Sequence, residues 1–245
     1  MKPIATLTLG WALMASPLAE AQEASAKPLP KMIRVQVEFI DVPHETLTAL
    51  MADETITNDT QLRARLTELV KKKEASIMET QILQAPDGQK ATAESIEEYI
   101  YPTEYEPAEL PNEITVEGED GAQKVNTRDF ATGPTPTAFE TRNLGTTLEI
   151  EPTLQKDGRT VMLRFAPEIV HHVKNEVWSE WEGVHGRSDI TMPVMFSMRV
   201  STGVYVADGD YRLVSATSPK GEEGYPDFDR KVMLFVRCDV REAGK

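Results

Sequence analysis

Apolar and polar residues alternate near both ends of the chain. From Ile33 to Phe39 every second residue is apolar, and this period of two predicts a half-buried β-strand. The segment from Val232 to Val240 repeats the pattern, with apolar residues at its even positions, and predicts the last strand. Cys238 lies on the apolar side of that strand, which indicates a buried thiol that does not react.

Two short helices are predicted directly after the first strand. Pro43 ends that strand, and apolar residues then recur at helical spacing up to Met51. A second helix is predicted from a cap at Asn58 or Asp59 to about Lys73. Its apolar stripe, at spacings of three and four, consists of Leu62, Leu66, Leu69 and Val70.

Strands dominate after residue 76, and three Asp-Gly pairs separate extended runs. The glycines Gly88, Gly158 and Gly209 are predicted to be structural turns, because Asp-Gly supplies the positive φ angles of tight hairpins. The strands predicted around these turns cover residues 77–84, 90–101, 144–155, 160–173, 194–207 and 210–216. The sequence therefore predicts a mainly β (α+β) protein of antiparallel sheets and hairpins with two short helices near its N-terminus.

Two segments break the strand pattern. Residues 102–138 are rich in proline and acidic side chains and predict an irregular acidic loop with a short hairpin inside it. A Ca²⁺ site is the alternative for the acidic run from Glu94 to Asp120, although the spacing of a dedicated calcium loop is missing. The second segment, residues 174–192, contains Trp178 and Trp181. These indoles are candidates for an interface with a membrane or partner, or they pack onto the sheet.

The N-terminus has the features of a processing signal. A lysine, a short apolar run and two A-x-A sites predict a secretory signal peptide over residues 1–21. Residues 22–31 follow as a flexible leader, and residues 32–245 form the predicted β domain. We therefore expect an exported protein.

Composition and motifs narrow the chemistry. Lys and Arg total 26 against 40 Asp and Glu, a net charge of −14 in 245 residues, which argues against nucleic-acid binding. Fingerprints of nucleotide, metalloprotease or serine hydrolase sites are missing. His171 and His172 are adjacent on a predicted strand and face opposite sides, so they are poorly placed to share a metal. We expect no catalytic residues, no metal and no cofactor.

The order of these elements resembles the β domain of bacterial secretins, the outer-membrane ring proteins of type II and type III secretion systems and pilus machines. The residues that carry the resemblance lie in five segments: 33–41, 62–91, 145–168, 193–209 and 231–240. Among them, Gly145 to Pro152 and Val161 to Glu168 are similar to two consecutive family strands around a turn. In that family each subunit contributes strands to a shared barrel.

The resemblance implies a non-enzymatic envelope protein, a component of or accessory to a type II/III secretion or pilus-type machine. Its expected location is the periplasm or outer membrane of a Gram-negative-type bacterium. Protein partners in the envelope are expected, while homo-oligomerisation and membrane contact stay open. The alternative is a soluble periplasmic β module that binds a protein partner through sheet edges or the acidic loop.

Two departures from the family pattern affect this expectation. The segment from Arg212 through a polar loop to Arg230 stands where secretins have a glycine-rich apolar run. The chain also has little room for the ring-building domains that precede the family's β domain. We therefore expect that the chain alone stays soluble and forms no large conducting pore.

Overall fold

The computed structural model describes residues 31–111, 113–118, 121–124, 126–184, 186–221 and 224–242. The predicted signal peptide, leader residues 22–30 and His185 lie outside the described residues, whereas Lys31 already belongs to the first strand. Within them the chain is mainly β, with antiparallel sheets and two short helices near the N-terminus. The predicted fold class is confirmed.

The elements follow one another in a simple order. The helices are α1 (His44–Ala52) and α2 (Asp59–Lys71), and one 3₁₀ turn covers Thr127–Phe130. The strands are β1 (Lys31–Pro43), β2 (Ser76–Pro86), β3 (Ala91–Glu106), β4 (Thr115–Gly118), β5 (Gly121–Lys124), β6 (Thr135–Leu154), β7 (Thr160–Ser179), β8 (Glu182–Gly183), β9 (Gly186–Arg187), β10 (Ile190–Arg199), β11 (Thr202–Ala207), β12 (Tyr211–Thr217) and β13 (Arg230–Glu242).

Two antiparallel sheets form the body of the protein. Sheet A has the strand order β12-β13-β1-β2. Sheet B has the order β10-β7-β6-β3, and β11 pairs with the first residues of β7 on the edge that β10 occupies further along. The short strands β4 with β5, and β8 with β9, make two small separate ribbons.

The main core lies between the two sheets. The odd residues of β1 from Ile33 to Phe39 and the even residues of β13 from Val232 to Cys238 are buried there. Sheet B contributes Leu148, Leu163 and other apolar side chains to the same cluster. The period-two pattern of the sequence therefore marks the face of sheet A that packs on sheet B.

A second cluster joins the helices to the opposite face of sheet A. On that face β1 changes from polar residues up to Glu38 to the apolar Ile40 and Val42, which pack on Leu62 and Leu66 of α2. The change marks the point at which α2 begins to cover the sheet. The predicted cap is present in α2, because the Asn58 side chain accepts a hydrogen bond from the Gln61 amide at 2.9 Å.

The glycines Gly88, Gly158 and Gly209 have φ angles of +72°, +69° and +82°. Of these three, only Gly158 lies in a turn that joins two paired strands, β6 and β7. At Gly88 the chain passes from sheet A to sheet B, and at Gly209 it returns, so the hairpins predicted at these two positions are wrong. At each of these two corners the aspartate before the glycine accepts a hydrogen bond from the other sheet. Asp87 accepts from the Leu154 amide at 2.7 Å, and Asp208 accepts from the Val240 amide at 2.8 Å.

The irregular segments predicted from the sequence begin and end in strands. The stretch predicted as a loop over residues 102–138 contains the end of β3, the start of β6 and the expected small hairpin, β4 with β5. Likewise β7 continues to Ser179 and β10 begins at Ile190 within the second segment. Conversely, the strand predicted over 194–207 is two strands, because the chain bends between Arg199 and Thr202.

Candidate functional site

Sheet B divides into two β arms beyond the core. Pairing of β6 with β7 stops at Gly145 and Val170, whereas β3 and β6 stay paired to Glu106 and Thr135. We call residues 96–106 with 135–145 arm 1, and residues 171–179 with 190–196 arm 2. At about 3.3 Å per residue the 20-residue strands β6 and β7 are each roughly 65 Å long, and much of that length lies outside the core.

Gly145 lies where arm 1 separates from the rest of sheet B. Its φ is +121°, and a Cβ at this position would overlap the Ser95 carbonyl oxygen and lie 3.1 Å from the Ile96 Cα. An L-residue with a side chain fits neither the backbone angle nor the close approach of β3. The bend of β6 therefore requires glycine.

Tyrosine side chains on one face of arm 1 contact arm 2. The Tyr99 ring stacks on His172 with centroids 5.1 Å apart, and its hydroxyl donates to Asn175 Oδ1 at 3.3 Å. Further along, the Tyr105 hydroxyl donates to the Thr191 carbonyl oxygen at 3.4 Å. These aromatic and polar contacts hold one face of arm 1 against arm 2.

The tips of the two arms are joined around Trp181. Its ring lies against Gly183 and Gly133, and a Cβ on Gly133 would lie 2.8 Å from Trp181 Cε3. The Ser188 hydroxyl donates to the Pro134 carbonyl oxygen at 2.6 Å. Trp181 thus packs against other parts of the chain, as in the second of the two alternatives given for these indoles. Trp178, in contrast, is 72% exposed. An interface role for either residue stays a prediction.

The outer strand of each arm has an unpaired edge, and the two edges differ in charge. Among the described residues β3 pairs only with β6, and β10 only with β7. Strand β3 contains five glutamates and no basic residue, and β10 has no charged residue before Arg199. Each strand also contains a proline, Pro102 or Pro193, a residue that sheets tolerate at edges.

The outward face of arm 1 is mixed in polarity. Side chains of β3 alternate, so the even residues face away from arm 2. On that face Ile100 and Phe139 are 64% and 58% exposed, and Glu98 lies between Ile96 and Ile100. The face is therefore a discontinuous apolar stripe interrupted by carboxylates.

The residues that the sequence singled out for chemistry are not brought together. Burial, followed by the carboxylates of Asp239 and Asp208, raises the pKa of the Cys238 thiol to about 12, so this thiol is inert. Burial, followed by the charge of Lys220, lowers the pKa of His171. His172 lies on the other face of β7 against Tyr99. The described part of the chain has no group of three or more His, Cys, Asp or Glu placed to hold a metal.

The strands predicted from the sequence cover only parts of the arms, and strand pairing through sheet edges is one of the alternatives that the sequence leaves open. The available signal was the tyrosine spacing from Tyr99 to Tyr105 within an acidic run, which fits a two-faced strand better than a loop. Of the helices that the structure describes, none has the length and hydrophobicity needed to cross a bilayer.

Comparison with known proteins gives structural neighbours only. No protein-family profile and no curated protein sequence matches the chain. The secretin InvG of the Salmonella SPI-1 type III injectisome is 9% identical, with a TM-score of 0.41 over 87% of this chain and 65% of InvG. The type II secretin GspD of E. coli K12 is 11% identical, with a TM-score of 0.34 over 86% and 49%. GspD in the ETEC pilotin–secretin complex is 12% identical, with a TM-score of 0.39 over 89% and 50%. The chain thus spans less than two thirds of each of these secretins.

Proposed function

We propose that this protein is a secretin-like component of, or accessory to, a type II/III secretion or pilus-type machine in the bacterial envelope. It acts by pairing β-strands between subunits and not by catalysis. The observation that carries the proposal is the pair of arms, which extend beyond the core and end in two unlike strand edges, acidic β3 and uncharged β10.

The charges of the two edges favour pairing of β3 from one subunit with β10 of the next. Two β3 edges would place rows of glutamate side by side, and like charges opposite each other destabilise a sheet. Strand β10 has no carboxylate to repel β3. A contact between two different edges is heterologous, and repetition of such a contact builds rings or filaments and not closed dimers.

The neighbouring subunit in this proposal is a second copy of the chain or a longer secretin subunit. Export to the periplasm or outer membrane is part of the proposal and rests on the N-terminal sequence. The alternative, a soluble module that binds a different protein through the same edges, is favoured by the exposed Trp178, which extends the surface of arm 2.

Cysteine cross-linking tests the proposal directly. In a Cys238→Ala background, single cysteines replace Ile96, Glu98 or Ile100 on β3, and Val194 is replaced by cysteine on β10. We expect at least one β3 variant, mixed with Val194→Cys at high protein concentration, to give a mixed disulfide dimer. The same β3 variants oxidised alone are the control and should give none.

Two results would overturn the proposal. A β3 variant that links efficiently to itself would show a symmetric edge. The second result is that no β3 variant links to Val194→Cys, either in mixtures of the purified variants or in cells that express the envelope machinery. The soluble module would then be the better account.

A further inference from the structure

The two edge strands of sheet A, β12 and β2, differ in whether their outer backbone groups have partners within the chain. At the β12 edge, α2 supplies partners for the strand: Thr60 Oγ1 accepts from the Tyr211 amide at 3.0 Å, and Asp59 Oδ2 accepts from the Leu213 amide at 3.2 Å. These two amides are two residues apart and point away from β13. The first turn of α2 thus blocks strand addition at this edge.

The β2 edge is open by comparison. Among the described residues β2 pairs only with β1. Its eleven residues include one charge, Glu79, whose carboxylate accepts from the Thr80 amide at 2.9 Å. Met78 and Ile82 on this strand are 41% and 56% exposed. A long edge strand with little charge and exposed apolar side chains is prone to pair with another strand.

Gln81, at the middle of β2, has an unsatisfied acceptor. Its Oε1 atom is buried and has no hydrogen-bond partner in the described part of the chain. Leaving a buried acceptor unpaired costs about 1–3 kcal/mol. A donor supplied from outside the chain at this strand would remove that cost.

We propose that two copies of this chain pair through β2, antiparallel, about a two-fold axis at Gln81. In this register the two Gln81 side chains lie directly opposite, and a turn of each amide from its buried position towards the other lets the NH₂ of one donate to the Oε1 of the other. Sheet A then continues across the interface as eight strands. This dimer uses sheet A and is independent of the strand pairing proposed for the arms.

The side chains of β2 are self-complementary in this register. Glu79 lies opposite Leu83 of the second copy, so the single charges do not face each other. Thr80 lies opposite Ile82, which places both copies of Ile82 on one face as diagonal neighbours. Met78 is the extra residue of the β-bulge opposite Phe39 and Ile40 of β1, so the regular ladder of this register runs from Glu79 to Leu83.

The predicted leader is a poorer occupant of this edge than a second copy of β2. Met32 pairs with Pro86, so the described chain begins on the β1 side of β2, away from the outer edge. The sequence before it contains Pro28 and Pro30, which cannot donate to a strand ladder. A second copy of β2 has neither obstacle.

Disulfide trapping tests the register. In a Cys238→Ala background, Gln81→Cys should form a disulfide with itself, since a residue on the two-fold axis faces its own copy in a closely spaced pair. Thr80→Cys should link to Ile82→Cys when the two variants are mixed, and Thr80→Cys alone should not link. Efficient linking of Ile82→Cys to itself, without linking of Gln81→Cys, would overturn the proposed axis.

Sedimentation equilibrium tests the dimer without cysteines. The natural sequence should reach at least twice the monomer mass as concentration rises, and Ile82→Lys should associate markedly more weakly because it places a charge at the interface. Ile82 is exposed, so this variant should fold, which its circular dichroism spectrum checks. A natural chain that stays monomeric at millimolar concentration, or an Ile82→Lys variant that dimerises equally well, would refute the β2 interface. The arm cross-links are scored separately in the Ile82→Lys background, so failure of one proposal is distinguishable from failure of the other.

Discussion

The Arg63 guanidinium of α2 binds the Glu38 carboxylate of β1 through two hydrogen bonds, of 2.5 Å from Nε and 3.1 Å from Nη2. The side chains are only 10% and 5% exposed. Gln36 also donates to this carboxylate, at 2.9 Å, and Arg63 donates to Thr67 at 2.6 Å. The pair lies where the apolar contact between α2 and sheet A ends, and it fixes the position of the helix on the sheet.

Removal of one partner of this pair should destabilise the fold strongly. Arg63→Met leaves the Glu38 charge buried without compensation, a loss of about 3–5 kcal/mol for a broken buried pair. The double variant Glu38→Leu with Arg63→Met should recover most of the loss, because no buried charge remains. Urea denaturation followed by circular dichroism measures both.

The exposed pair of Lys71 and Glu68, with an N–O distance of 2.8 Å, is the matched control. Lys71→Met should cost less than about 1 kcal/mol, as expected for a surface pair. Equal losses for Arg63→Met and Lys71→Met would show that burial of the first pair contributes nothing.

The sequence predicts the body of this fold better than its arms, for a physical reason. In β1 and β13 one face is buried against sheet B along the whole core, so Ile33 to Phe39 alternate with polar residues. The arms are exposed on both faces, so no alternation of burial forces an alternation of side chains. The predicted strand ends at Tyr101, but β3 continues through Pro102 and Glu104 to Glu106, where a composition rich in proline and glutamate predicts a loop.

The corners at Gly88 and Gly209 were unpredictable for another reason. The local sequence Asp-Gly demands a positive φ whether the next strand pairs with the previous one or enters the other sheet. The choice depends on contacts distant in sequence, such as the bond from the Leu154 amide to Asp87. The arms likewise arise from the point at which β6 leaves β7, which no local motif specifies.

Substitution of Gly145 should destabilise the fold more than substitution of other positive-φ glycines. Gly145→Ala adds both a strained backbone and an overlap with the Ser95 carbonyl oxygen, each worth roughly 1–3 kcal/mol. Gly209→Ala is the matched control, because Gly209 has φ of +82° with no atom near its Cβ position. Thermal unfolding should show the larger loss for Gly145→Ala. Equal losses would contradict the bend assigned to Gly145.

The carboxylate of Asp157 in the β6–β7 hairpin should titrate at unusually low pH. The Thr160 hydroxyl at 2.6 Å, followed by the amides of Arg159 and Thr160, lowers its pKa from 3.8 to about 2. A depressed pKa means that the ionised form stabilises the folded state above about pH 4, and that this stabilisation is lost as pH falls towards 2.

NMR titration of the Asp157 carboxyl carbon measures this pKa. Thr160→Val removes the hydroxyl donor and should move the midpoint upwards, while the titration of Asp53 on the opposite side of the fold serves as an internal reference. A midpoint near 4 in the natural sequence would show that the turn does not hold the carboxylate as the geometry indicates.

The last prediction concerns lipid. A strand face that meets the bilayer core needs a continuous apolar surface, because charge there is unfavourable. On the outward face of arm 1, Glu98 interrupts the stripe formed by Ile96, Ile100 and Phe139, and Glu94 borders the stripe on β3 just before the arm begins. We therefore expect the purified chain to give no large conductance steps in planar bilayers and to stay at the bottom of a liposome flotation gradient. The variant with Glu94→Val and Glu98→Val makes the stripe continuous and should float with the liposomes. Large unitary conductance from the natural sequence would contradict the prediction, because it would show that a ring of these arms inserts into lipid despite the carboxylates.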